Sequence, residues 1–182
     1  MARKYNYREL MSEKSYLMVK IRAMRLSGTF IDRIYYNEKD LLFRTRSGTD
    51  PTKVWYQTIR IEDLRTLDDL IATKDLDRVI RESGIKVHCN CPAFLYWGFK
   101  YLSWKKGYGL QKELRVPRVR NPHQRGYVCK HIYQCLMVYP FLSKTIAAKM
   151  KRYYSSEQSQ VKKSVSWYKN GNNTDSSSDN NS

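Results

Sequence analysis

Between positions 89 and 131 the sequence sets three thiols and one imidazole in two pairs, Cys89-Asn90-Cys91 and Cys129-Lys130-His131. Three sulfurs and one nitrogen are the number and type of donors that a tetrahedral zinc site takes. Residues i and i+2 of a strand point to one face, so a strand can present Cys89 and Cys91 to a single ion. Cys129 is expected at the start of a helix with His131 in its first turn, where the local turn lets both side chains converge. The bland alternative is a set of buried thiols and a surface histidine. Clustering argues against it: all four cysteines and two of the three histidines fall between 89 and 135. A Cys89–Cys91 disulfide would strain bridge geometry.

The ligand set carries one ambiguity. Cys135 lies four residues after His131, on the same helical face, and competes with Cys89 for a place. The preferred set is Cys89, Cys91, Cys129 and His131, with Cys135 read as a small buried hydrophobe. His88 and His123 are weaker substitutes.

The order Cys-x-Cys, spacer, Cys-x-His resembles the SWIM-type zinc finger. Pro92-Ala93-Phe94 after the second cysteine and Cys129-Lys130-His131-Ile132 at the close add to the likeness, which covers roughly 85–140. The spacer is longer than in a compact SWIM finger. Its Arg118-Val119-Arg120-Asn121-Pro122 and Gly126 also resemble SWIM-like proteins of large tailed bacteriophages. The resemblance implies Zn2+ as cofactor and DNA or protein as partner.

The elements around the ligands follow from local chemistry. Ile85 to Cys91 reads as a strand, and Pro92 opens a helix where its missing N–H costs nothing. Phe94, Trp97, Tyr101 and Trp104 follow at spacings of 3, 4 and 3 and share one face. Periodic aromatics mostly pack a core; Tyr96 and Phe99, off that stripe, are the better candidates for exposed stacking on nucleobases. Lys106-Gly107-Tyr108-Gly109 breaks the helix. Gln111 to Gly126 is a basic, proline-containing excursion without apolar period, and long loops inside compact domains are often functional. A helix from Cys129 to Val138 turns Ile132, Cys135, Leu136 and Tyr139 inward. Pro140 interrupts, and Phe141 to Tyr154 forms a second amphipathic helix.

Upstream, residues 1–14 read as an arm or short helix. Ser15 to Met24 alternates like a strand, with a helix as the alternative, since Leu17, Ile21 and Met24 also fit its period. Thr29–Tyr36, Leu41–Arg46 and Val54–Ile61 are further strands, rich in β-branched and aromatic residues and separated by turn signals, which makes an antiparallel meander. Glu62 to Ser83 is helical with a break near Thr73. Its Asp68, Asp69, Asp75 and Asp77 read as a solvated face and helix N-terminal charge. The expected fold class is α+β: a small N-terminal antiparallel sheet, then a zinc-stapled strand–helix–long loop–helix unit and a C-terminal helix. The divisions are 1–84 for the sheet with its trailing helix, 85–152 for the zinc-binding unit and 153–182 for a low-complexity, disordered tail rich in Asn and Ser.

The 182 residues carry a formal charge of +17, distributed unevenly. From Lys86 to His131 there are ten Lys or Arg and a single acid, Glu113, so this quarter of the chain holds nine of the seventeen net charges. Such a field attracts polyanions. The expected contacts are Lys105, Lys106, Lys112, Arg115, Arg118, Arg120, Arg125 and Lys130, and the expected partner is nucleic acid, an acidic protein surface or virion proteins. No run of about 18 apolar residues predicts a membrane span. The N-terminus lacks an apolar signal core. Clustered thiols without a disulfide framework fit the reducing cytoplasm of the producing cell, or a virion assembled there. No Ser/His/Asp set, paired-carboxylate motif, P-loop or dinucleotide fingerprint appears, so neither catalysis nor a small-molecule substrate is expected.

Overall fold

A computed structural model describes residues 3–12, 29–37, 40–47, 50, 52–63 and 75–171. The expected strand at 15–24, residues 64–74 of the expected 62–83 helix with Asp68 and Asp69 among them, and residues 172–182 lie outside the described residues. Glu62 and Asp63, expected to open that helix, are not helical, because the Glu62 N–H extends the sheet side by donating to the Gly84 carbonyl at 2.8 Å. The fold is α+β. In chain order the elements are α1 (Tyr7–Met11), β1 (Thr29–Asn37), β2 (Asp40–Ser47), β3 (Val54–Ile61), α2 (Leu76–Glu82), β4 (Ile85–Cys89), α3 (Pro92–Tyr96), α4 (Phe99–Lys106) and α5 (Lys130–Gly171).

The strands form one antiparallel sheet in sequence order, β1-β2-β3-β4. The strand expected to open the zinc unit is therefore the fourth strand of the N-terminal sheet. Alternation fixes which face packs inward. Leu41 and Phe43 of β2 pair with Ile59 and Gln57 of β3, and Gln57, Ile59 and Ile61 pair with Cys89, Val87 and Ile85 of β4. All eight are buried. The opposite face carries Arg60, held by Asp40 through two bonds of 2.7 Å. Beyond β4, Val87 bonds the backbone of Tyr108 and Leu110, which covers that sheet edge.

One long helix lies on the packed face. Ile132, Leu136, Tyr139, Ser143, Ile146 and Met150 of α5 recur every four and three residues and are all buried. The Tyr139 hydroxyl donates to the Ile80 carbonyl at 2.6 Å and ties α5 to α2. The N-terminal arm joins the same core. α1 is closed by an Asn6/Glu9 capping box and buries Leu10, while Tyr5 packs on Tyr108 at 5.0 Å and Tyr7 on Tyr139 at 5.7 Å.

Three expectations change. Pro140 does not end the helix: α5 is one element of 42 residues, about 63 Å at the usual rise of ~1.5 Å per residue, running past the polar shift at Ser155. A proline inside a helix costs about 3 kcal/mol. Leu136, Ile146 and Met150 on either side of it are each worth about 1.5–3 kcal/mol when buried, so keeping the stripe continuous outweighs the lost bond. The aromatic stripe also falls on two helices. Gly98, at φ 81°, separates α3 from α4. Phe94 and Tyr101 are buried, with Trp97 and Trp104 half-buried, so the stripe is core. Phe99 is fully buried beside them, against the expectation of an exposed contact, because the turn at Gly98 rotates α4 relative to α3. Tyr96 is exposed as expected.

Candidate metal centre

Cys89, Cys91, Cys129 and His131 converge, with their ligand atoms all within 4.8 Å of one another and all four side chains buried. A tetrahedron built on ~2.3 Å zinc–sulfur bonds has edges of about 3.8 Å, so the cluster is of the size a zinc ion closes.

The first pair is shaped by a strand-to-helix turn, where the sequence pointed to strand alternation. β4 ends at Cys89, and Cys91 is the N-cap of α3 with φ −71° and ψ 150°. Asn90 makes the turn possible. Its N–H donates to the Tyr56 carbonyl at 3.2 Å, while its side-chain oxygen accepts from the Tyr56 N–H at 2.8 Å. A side chain thus replaces a backbone carbonyl in the ladder, and the chain leaves the sheet without an orphan donor. Cys89 Sγ accepts from the Cys91 N–H at 3.4 Å, and Cys91 Sγ accepts from the Phe94 N–H at 3.3 Å. Such bonds to sulfur favour the thiolate form that a metal requires.

The second pair sits at the start of α5, as expected. The Cys129 carbonyl accepts from the Tyr133 N–H at 2.9 Å, and His131 lies in the first turn against the Trp55 ring, at 6.3 Å between centroids. His131 Nδ1 is buried with no hydrogen-bond partner. Buried polar atoms are nearly always satisfied, so a partnerless nitrogen on an imidazole grouped with three thiols fits a residue that ligates a cation.

The electrostatics agree. Burial pushes the Cys89 thiol up to about 12 and the Cys129 thiol well above the ordinary 9.0. Cys91 is held well below it, because the Cys129 thiol first, then Cys89 and His131, turn protons toward its sulfur. Cys91 is thus the thiol that ionises most readily, and a divalent cation offsets the repulsion and desolvation of three thiolates.

Cys135 is buried but stands outside the ligand group. Its thiol donates to Gln57 Oε1 at 3.8 Å, and burial holds it protonated, well above the ordinary value. Gln57 in turn donates from Nε2 to Thr45 Oγ1 at 3.0 Å and to Cys89 Sγ at 3.7 Å. Sequence reading missed Gln57 and Asn90. The signal for Gln57 was a polar residue on the inward register of a strand. His88 packs edge-on against Phe94 on the other register of β4, and His123 is exposed; neither joins the group.

The basic excursion is built around its one acid. Glu113 is buried and accepts from the backbone and guanidinium of Arg115 at 2.7–2.9 Å, which holds its carboxyl down to about 2. Asn121 bonds both backbone groups of Arg125 and closes the end of the loop. Lys105 reaches Gln124, and Lys106 lies over the Tyr127 ring at 4.1 Å. Lys112, Arg118, Arg120 and Lys130 are exposed and have no ion pair among the described residues. Arg125 is exposed as well.

No protein-family model, curated protein or solved structure matches the chain. Among the described residues no helix is long and apolar enough to cross a membrane.

Proposed function

We propose that this chain is a non-enzymatic, zinc-stabilised binding module that holds nucleic acid or an acidic protein surface through its basic 111–126 excursion. The observation that carries the reading is the buried Cys3His group at the junction of sheet and long helix, with the excursion strung between its two ligand pairs. Four protein ligands leave no coordination position for water or substrate, which favours a structural ion over a catalytic one. A zinc ion held there supplies folding energy to the segment that presents the arginines. The Cys-x-Cys, Cys-x-His order supports a SWIM-type finger, and with it salt-sensitive, sequence-tolerant DNA binding.

The test has two parts. Chelator-washed protein is expected to hold one zinc per chain by mass spectrometry. Replacing Arg115, Arg118, Arg120 and Arg125 together by alanine is expected to weaken polyanion binding and flatten its salt dependence, with zinc content intact. Unaltered affinity at several salt concentrations removes the excursion as the contact.

A second reading, an assembly protein of a phage particle, is favoured by one feature. Phe141 is 85% exposed and Met137, one turn earlier on α5, is 40% exposed. Paired exposed apolar side chains on a helix suit a protein neighbour. Cofractionation with virions at high salt supports this reading, and its absence counts against it.

A further inference from the structure

A groove of about 300 Å³ lies between the end of α3 and the 113–120 segment, with Tyr96 on one wall and Arg115, Val116, Arg118 and Arg120 along the other. We infer that this groove is a single-stranded nucleic-acid site, with Tyr96 stacking a base and Arg118 and Arg120 meeting the flanking phosphates. The inference rests on the polyanion-binding reading above and narrows it to one ligand class and one place.

The groove is built into the fold. Pro117 is buried against Gly98, so closely that a Cβ on that glycine would lie 2.3 Å from the proline ring. Gly98 has φ 81°, a conformation that only glycine takes without strain. This contact pins the middle of the segment to the α3–α4 junction, and the Glu113–Arg115 bonds brace its start internally. Glu113, the only acid of the region and part of the groove lining, is paired with Arg115, which offsets its charge.

The exposed side chains are of two kinds. Tyr96 is 68% exposed and Val119 87%, so both present apolar surface to the solvent. Arg118 and Arg120 are exposed beside them with no ion pair among the described residues. An unpaired nucleotide offers a π face and a phosphate together, and stacking on an aromatic ring tolerates any base. A duplex keeps its bases inside, where Tyr96 cannot reach them. An acidic peptide answers the arginines and leaves the Tyr96 ring without a matching plane. The volume is at the small end of ligand clefts, of a size for a base and not for a folded partner.

The experiment is a fluorescence-anisotropy titration of the full zinc-loaded chain with a labelled deoxythymidine oligomer. The same sequence as a duplex and polyglutamate serve as competitors. The oligomer is expected to bind, with duplex and polyglutamate competing at least tenfold less well. Tyr96→Ala is expected to weaken oligomer binding about tenfold and Tyr96→Phe to restore it, with zinc content and circular dichroism unchanged. If Tyr96→Ala has no effect while Arg118→Ala/Arg120→Ala weakens all three polyanions, the groove assignment is overturned and the basic-contact reading stands. Polyglutamate competing as well as the oligomer overturns the assignment in favour of an acidic protein partner. If no polyanion binds, both readings fall.

Discussion

The side-chain amide of Gln57 donates to Cys89 Sγ at 3.7 Å, from the position directly across the β3–β4 ladder. Gln57 is fully buried, and its other bonds run to Thr45 and to Cys135. A polar side chain in that position orients a metal-ligating sulfur and adds a donor to it. Groups of this kind are worth about 10–100-fold in metal affinity. Gln57→Leu is accordingly expected to weaken zinc binding by roughly tenfold or more while the sheet remains folded. Competition against a chelating dye measures it; equal affinity in the two proteins shows that the contact is packing alone.

The position of Cys135 makes the ligand set separable by mutation. Cys135→Ala is expected to keep one zinc per chain and to lose about 1–2 kcal/mol of stability, the order expected for a small buried side chain. Cys89→Ser and His131→Ala are expected to lose the metal and most protection of the 85–152 region, since structural zinc binding is folding energy. Metal content with hydrogen exchange reads both. Zinc lost from Cys135→Ala and retained by Cys89→Ser would exchange the two residues in the set.

Protons should leave when the metal enters. Without metal, Cys89, at about 12, and Cys129, raised by burial, keep their protons at neutral pH, whereas Cys91, lowered by its neighbours, does not. Zinc uptake at pH 7 then releases about two protons, and the apparent affinity rises steeply with pH. Three ordinary thiols would release about three. Calorimetric titration in two buffers of different ionisation enthalpy counts them, and a value of three refutes an ionised Cys91 in the metal-free protein.

Gly98→Ala should damage the loop and spare the metal. A non-glycine residue at that backbone conformation costs about 1–3 kcal/mol, and the new Cβ collides with Pro117. The 113–120 segment must lift. The expected result is a Tm lower by several degrees and faster tryptic cleavage after Arg118 and Arg120, with one zinc still bound. An unchanged cleavage rate means that the segment is not held by Pro117.

Much of the centre was legible in the chain because its signals are local. Cysteine spacing, the clustering of thiols, the proline that opens α3 and the glycines that end α4 each act over a few residues. So do the β-branched and aromatic residues and the turn signals that mark β1, β2 and β3. Charge is legible in the same way, since the excess of Lys and Arg over 86–131 needs no fold to be counted.

Tertiary structure decided what depends on partners distant in sequence. Spacing alone leaves Cys89 and Cys135 both within reach of an ion; the β3–β4 register puts Cys89 in the group and sends Cys135 to Gln57. Pro140 stops a helix by local rules, yet burial on both sides carries α5 through it. Phe99 reads as off-stripe until Gly98 turns the chain and drives it into the core. The groove at Tyr96 is lined in part by Pro117, which packs on that glycine from nineteen residues further along the chain. Each outcome rests on burial shared between segments far apart in sequence, and that free energy is absent until the chain has folded.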